Sequence, residues 1–476
     1  ISGRLYNQFS LTVAIAVGLS TVMSLTLTPA LSRVLLRPSQ GAPAAPFRLF
    51  NAGFDRLSRG YGVALGWLLR RAWLAAGATA VVLVAALVLF QNRPTGFVPS
   101  EDQGYFIVNV QLPEAASAER TREVVFALEE RLREVPGVAD TVAISGRSFV
   151  GNVNAPYFGF LIPILEPWGE RGPGESATAI IEDLRAELAG HPDARIQVFN
   201  APPIPGIGST GAVRVQLQGL EFQGPAAMAA ESGRFLGALN RQPEVAAAFT
   251  TYTASVPQYE FRVDRAKAEQ AGVPVGRLFD ATQAYLGSAF VNEVNRFGQT
   301  YRVFVQAEAE ARDSLADLAD LSVRNATGGA VPLDSLIDPV FAPGPQAIPR
   351  YNLFPSVEIQ AQAAPGVSSG ELVAAVERTA AESLGADFGT EWTGATFQQK
   401  RSAGWAPIIF SLAVVFVFLV LAAQFESLAM PVAIMLTVPF AVFGAVAALA
   451  VAGLDLDLFG QIGLLMLIGL SAKNAI

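Results

Sequence analysis

Residues 73–90, WLAAGATAVVLVAALVLF, carry no charge and are bracketed by Arg70, Arg71 and Arg93. Few fates are open to such a run. In hydrocarbon every backbone amide and carbonyl must find its partner within the chain, so an uncharged stretch approaching about 20 residues reads as a membrane-spanning helix. Comparable stretches occupy 9–31, 405–423, 430–452 and 459–476, giving five expected spans: 1–31, 73–91, 405–424, 430–452 and a truncated 459–476. Composition agrees, with 51% apolar residues, 16% charged residues and a mean hydropathy of +0.38. Between the second and third spans lie roughly 300 residues of ordinary polarity, so the chain faces two solvents.

Orientation follows from charge. Residues 32–72 hold seven arginines against Asp55 alone, which marks a basic cytoplasmic loop and places everything from about Pro94 to Arg401 on the far side of the membrane. Residues 92–401 carry 24 basic and 37 acidic side chains, a net charge of −13, so nucleic-acid binding is not expected. The absence of cysteine removes thiolate metal sites and cysteine nucleophiles, and the single histidine, His191, reads as a turn residue in Gly190-His-Pro-Asp193. No cofactor or metal is expected. The chain starts at Ile1 and stops inside an apolar run, and so reads as an internal fragment.

The outer module repeats itself. Val108-Asn-Val-Gln-Leu112, Val213-Arg-Val-Gln-Leu217 and Val357-Glu-Ile-Gln-Ala361 alternate as strands do, and each is followed by a stretch of helical periodicity and then another strand. Residues 101–211 thus form two strand-helix-strand units, the split arrangement of a ferredoxin-like sandwich. A second sandwich is divided between 212–256 and 346–395. The insertion at 257–345 contains an expected hairpin around Arg296-Phe297-Gly298-Gln299. The fold class is therefore a membrane α-helical bundle bearing an α+β module of two ferredoxin-like subdomains and an inserted domain.

Four segments make the chain resemble the resistance-nodulation-division efflux permeases, in particular their hydrophobe/amphiphile exporter branch. They are Leu27-Thr-Pro-Ala-Leu31, Gly96-Phe-Val-Pro-Ser-Glu-Asp-Gln-Gly104, Trp392-Thr-Gly394 and Gly469-Leu-Ser-Ala-Lys-Asn-Ala475. The resemblance extends from the family's sixth transmembrane helix to part of its tenth. It implies a homotrimeric proton antiporter of the bacterial inner membrane whose periplasmic porter subdomains bind small hydrophobic or amphiphilic substrates. It also implies a docking domain that meets a periplasmic adaptor protein and an outer-membrane channel. By the same resemblance, Ser145-Gly-Arg-Ser-Phe-Val-Gly-Asn152 is a glycine-rich switch loop, with Gly146, Arg147, Ser148 and Gly151 shaping it. Phe149, Phe158, Phe160 and Phe199 are the substrate-binding candidates. Positions often occupied by phenylalanine in the family carry Val142, Arg147 and Gln197, which implies a smaller or more polar pocket. The alternative for each phenylalanine is a place in a sandwich core.

Lys473 lies well inside the last apolar stretch, and a lysine at that depth costs about 2.5–3.5 kcal/mol without an acidic partner or a wet cavity. Glu426, Asp455 and Asp457 sit at helix ends, so its partner must come from other sequence; the resemblance supplies the aspartate pair of the family's fourth helix and makes Lys473 a proton-relay residue. The alternatives are snorkelling to the headgroups, heavy-metal export, for which the one methionine outside the spans, Met228, is insufficient, a membrane-anchored hydrolase, for which no serine-base pair or catalytic carboxylate pair is evident, and a non-transporting scaffold. Glu101 and Asp102 are read as a solvated pair.

Overall fold

The computed structural model describes residues 2–36, 45–99, 101–204, 206–208 and 210–476. The chain opens with helices α1 (Ser2–Leu25) and α2 (Leu27–Leu35), followed by α3 (Ala45–Leu69) and α4 (Ala72–Asn92). The basic connection at 32–72 is mostly helical: 37–44 lie outside the described residues, and most of the rest is the 25-residue helix α3. Phe47, Phe50, Phe54, Leu57, Tyr61, Leu65 and Leu68 recur every three or four residues, a helical stripe, while Arg48, Asp55, Arg56 and Arg59 interleave with it. Charge counting alone hid that period.

The first subdomain runs β1 (Phe106–Gln111), α5 (Ala118–Arg133), β2 (Val138–Arg147), β3 (Asn154–Leu165), α6 (Ala177–Glu187) and β4 (Arg195–Asn200). Its antiparallel sheet has the order β2-β3-β1-β4. Serines start both helices: the Ser117 hydroxyl accepts from the Arg120 amide at 3.2 Å, and Ser176 does the same for Ala179 at 3.3 Å. Val125, Leu128 and Leu132 of α5 and Ile180, Ile181 and Leu184 of α6 close a core over one face of the sheet.

The second sheet is assembled across the insertion. β5 (Val213–Gly219), α7 (Pro225–Leu239) and β6 (Val245–Phe249) come before it. The insertion contains β7 (Tyr259–Val263), α8 (Arg265–Gln270), α9 (Val275–Thr282), β8 (Ala289–Arg296), β9 (Gln299–Val305), β10 (Ser322–Arg324), β11 (Ala330–Pro332) and β12 (Ile337–Phe341), with its own core around Leu278, Leu333 and Ile337. After it come β13 (Arg350–Tyr351), β14 (Phe354–Ala363), α10 (Ser369–Ser383) and β15 (Phe388–Trp392). β14 pairs with both β5 and β6, and β15 with β5, reproducing the strand order of the first sheet. Ser368 and Glu371 form a capping box at the start of α10.

Helix α11 (Gly394–Ala403) leads back to a second group of apolar helices, α12 (Ala406–Phe425), α13 (Ala429–Met435), α14 (Val438–Val451) and α15 (Leu458–Ala475). Among the described residues, five helical stretches are long and apolar enough to cross a membrane: Gly3–Leu35, Ala72–Asn92, Ala406–Phe425, Ala429–Val451 and Leu458–Ala475. The fourth is interrupted at Leu436–Thr437, where the Thr437 hydroxyl donates to the Ile434 carbonyl at 2.7 Å.

Asp102 is not a solvated residue. Its carboxylate pairs with Arg171 at 2.7 Å and accepts the Ala177 amide at the start of α6 at 2.8 Å and the Gly104 amide at 3.0 Å. Burial alone would raise its pKa, but those amide and guanidinium donors outweigh it and hold the carboxyl below the usual aspartate range. The entry to the first subdomain is thereby bolted to α6.

Candidate functional site

Along β3, Gly159 faces α5, since a Cβ there would lie 2.5 Å from a Val125 methyl. Phe158 and Phe160 therefore point to the opposite face. Register carries that face across the sheet: Asn109 opposes both Phe160 and Gln197, Ile144 opposes Phe160, and Ile107 opposes Phe199. Three of the four phenylalanine candidates thus share the helix-free face with Val142, Ile144 and Gln197. All three are buried. Phe160 lies under Phe149, with ring centroids 5.2 Å apart, and Phe199 stacks on Phe249 of β6 at 5.2 Å with Val150 in the same cluster. Phe158 packs on Tyr157 at 4.6 Å and joins the buried cluster that continues into the sandwich core. The four do not form one open pocket.

Phe149 is half-buried, at the tip of the loop between β2 and β3. The loop is internally tied: the Ser148 amide donates to the Val153 carbonyl at 2.8 Å, the Ser148 hydroxyl accepts from the Gly151 amide at 3.0 Å, and Arg147 donates to the Asn152 side chain at 2.7 Å. Ser148 is wholly buried, an interior tether rather than loop surface. The two glycines have different reasons to be there. Gly146 sits at φ +86° beside a β-bulge, whereas Gly151 comes so close to the second subdomain that a Cβ would lie 2.6 Å from the Thr251 hydroxyl.

Beyond this loop lies a cavity of about 250 Å³ between the two subdomains. One wall holds Val150–Val153, Tyr157 and Phe158, and the other holds Arg214, Gln216, Glu358 and Thr250–Thr253. Sequence reading missed the second wall, although its signal was in the repeats: the alternating strands Val213–Leu217 and Val357–Ala361 put their apolar residues against α7 and α10 and leave Arg214, Gln216, Glu358 and Gln360 on the other face. Arg214 forms an ion pair with Glu358, to which Gln216 donates at 3.1 Å and Gln360 at 2.8 Å. Arg350 lines the same side, so the wall is polar with one positive charge beyond the Arg214–Glu358 pair. The Tyr157 hydroxyl, which lines this cavity, is buried with no hydrogen-bond partner among the described residues, as is the side-chain oxygen of Asn109 opposite Phe160 in the first sheet. Burial, then the nearby Glu114 carboxylate, pushes the Tyr157 hydroxyl pKa up, so it stays a neutral donor.

Lys473 lies fifteen residues beyond the start of α15, about 22 Å along the helix. Its side chain is exposed, and no described acid lies within ion-pair distance. Nearby, Ser471 and Thr437 join α15 to the break between α13 and α14 at 3.1 Å. The hairpin residues lie apart from both sites: Arg296 ends β8, Gln299 begins β9, and Phe297 and Gly298 form the turn at φ +55° and +75°, with Phe297 84% exposed.

The profile of the AcrB/AcrD/AcrF family matches residues 1–476. Similar proteins include the toluene efflux pump membrane transporter TtgB of Pseudomonas putida, 35% identical over 482 aligned positions. The multidrug export protein AcrF and the multidrug resistance protein MdtF of Escherichia coli (strain K12) are 34% and 32% identical. Each alignment covers all of this chain and 46% of the relative, so the chain spans about half the length of the curated relatives it matches. With its apolar helices, its paired sheets and a family match from first residue to last, the chain belongs to the AcrB/AcrD/AcrF family of resistance-nodulation-division efflux permeases.

Proposed function

We propose that this chain forms part of a proton-motive-force-driven antiporter that exports hydrophobic or amphiphilic compounds across the bacterial inner membrane. The two sandwiches serve as ferredoxin-like porter subdomains on the periplasmic side, and the insertion docks the homotrimer, through an adaptor, to an outer-membrane channel. The observation that carries the reading is the loop at 148–153: it covers a phenylalanine-bearing sheet face with Phe149 and also forms a wall of the inter-subdomain cavity with Val150–Val153. Lifting the loop would uncover Phe160 and Phe199 to a substrate entering from the cavity, and lowering it would close them off, which is the action of a gate between two substrate compartments.

Lys473 supplies the coupling. An ammonium this deep in a span needs an anionic partner, and a partner whose protonation releases it makes the pair sensitive to the proton gradient. In the complete transporter, Lys473→Ala is expected to abolish proton-coupled export while leaving folding and drug binding largely intact. Lys473→Arg is expected to fail as well, because a guanidinium keeps the charge but not the compact geometry. Efflux of a fluorescent amphiphile by the alanine variant, at the parent rate under an intact proton gradient, would rule the assignment out.

A further inference from the structure

The turn between α14 and α15 does not hang free outside the membrane. Leu456 forms a parallel bridge with Thr95, in the connector that leads from α4 to the first subdomain. The Leu456 amide donates to the Pro94 carbonyl at 2.9 Å, the Gly96 amide to the Leu456 carbonyl at 3.4 Å, and the Leu458 amide, in the first turn of α15, to the Phe97 carbonyl at 3.0 Å. On its other side the connector is held by the second subdomain, where the Gly370 amide at the start of α10 donates to the Thr95 carbonyl at 3.0 Å. The Phe97 ring fills the centre. It is buried with Leu458 and Ile462 of α15, and Leu5 and Tyr6 of α1, Ile204 beyond β4 and Ala395 of α11 pack around them. Arg93 closes the outer end by donating to the Leu449 and Leu454 carbonyls.

Gly370 shows how close this packing is. It sits in a helix, where glycine is worse than alanine by up to about 1 kcal/mol. A Cβ there, however, would lie 2.7 Å from the Thr95 hydroxyl and nearer still to the Thr95 carbonyl oxygen. The residue that the helix disfavours is the one that the contact requires.

We propose that Phe97, the Thr95–Leu456 bridge and the Gly370 clamp form a closed mechanical joint, which passes any displacement of the Lys473-bearing helix to both porter subdomains at once. A four-part backbone hydrogen-bond set around a buried ring does not stretch, and α15 is an unbroken helix from Leu458 to Lys473, so the two ends of this path move together. These residues act on position only; none of them touches substrate or proton. The joint deepens the transport reading and rests on it for its meaning.

The test severs the joint in one variant and staples it in another, in the complete transporter on a cysteine-free background. Gly370→Ala adds a single methyl group that the helix itself favours; it is expected to leave protein level and drug binding unchanged while lowering efflux by about 5- to 150-fold, the range of typical inter-site coupling. Gly96→Cys with Asp455→Cys brings two Cβ positions to 3.8 Å, the spacing of a disulfide. Because the joint stays closed through the cycle, the oxidised staple is expected to transport as fast as the reduced form. Efflux blocked by oxidation and restored by reductant, or parent-level efflux in Gly370→Ala, would overturn the joint. Amide hydrogen exchange separates this from failure of the transport reading. Lys473→Ala is expected to change exchange at Gly370 and Glu371 in the parent, and not in a Phe97→Ala background. That outcome supports the joint even if the parent exports no drug tested, and identical changes in both backgrounds would refute it.

Discussion

Truncating Phe149 separates a gate residue from a core residue by size of effect. The ring is half-buried, so its removal loses about half of the 1.5–3 kcal/mol that a fully buried phenylalanine side chain supplies. It also loses the pairing with Phe160, worth about 0.5–1.5 kcal/mol. Phe149→Ala should therefore destabilise the first subdomain by roughly 1–3 kcal/mol. Phe158→Ala, at a position 1% exposed, should cost about 3–5 kcal/mol. Phe160→Ala also empties a buried site, and the Phe149/Phe160 double-mutant cycle should return a coupling equal to the aromatic pair alone, about 0.5–1.5 kcal/mol. The assay is thermal unfolding of the detergent-purified transporter alongside a panel of drug susceptibilities. Phe149→Ala should keep its protein level and lose bulky substrates selectively. If it instead melts with Phe158→Ala and loses all drugs in proportion to folded protein, the ring is a core residue and the gate reading fails.

Glu358→Gln leaves the Arg214 guanidinium without its anion beside the cavity, at a folding cost of about 1–3 kcal/mol, and should shift export toward anionic amphiphiles; adding Arg214→Gln should reverse the shift, and an unchanged susceptibility profile would count against the cavity as substrate path. The Asp102 carboxyl sits below its usual pKa, so the stability it supplies is complete above about pH 4 and disappears as pH falls through its lowered value. Asp102→Asn should therefore be less stable at neutral pH and less sensitive to acid, which pH-resolved melting of the purified protein reads directly. Phe297 holds a left-handed conformation that costs about 1–2 kcal/mol, so Phe297→Gly should melt no lower than the parent, yet weaken efflux from intact cells while sparing transport in proteoliposomes. Deleting 296–299 should do the same more strongly, with trimer formation preserved.

Sequence patterns reveal the elements whose periodicity has one cause. The helical stretch after Val108–Leu112 is legible because a single buried face sets its period: Thr121, Val125, Leu128 and Leu132 of α5 all face the sheet. Legibility fails where two causes overlap. In α3 the apolar stripe is masked by an arginine count that suits a loop, and in β3 both faces are covered, so the alternation of Tyr157, Phe158 and Phe160 does not say which side meets helices. Asp102 reads as solvated in sequence because its partners, Arg171 and the Ala177 amide, lie about 70 residues away in the chain. The polar wall of Arg214 and Glu358 is visible as alternation, but opposite charges 144 residues apart become a pair only through the register that sets Glu358 against Gln216.

The interruption of the second sandwich governs how the chain is made. β5 and β6 leave the ribosome about 100 residues before β14, the strand that both must pair with, so for roughly 5–20 s of synthesis Val215, Leu217, Phe235 and Leu239 have no sheet to close over them. Bringing β14 back across a flexible loop of about 90 residues would cost near 4 kcal/mol in closure entropy. An insertion that folds first on its own core would remove that cost. β7 and β12 zip together from Ile337–Val263 to Phe341–Tyr259, and the Val256–Gly344 bridge brings the two strands of chain side by side just beyond them. The inserted domain thus acts as an internal template for its host: a substitution that loosens Leu278 or Leu333, far from any membrane or drug, would slow closure of the sheet that carries Arg214 and Glu358 and lengthen the time its uncovered strands are open to aggregation.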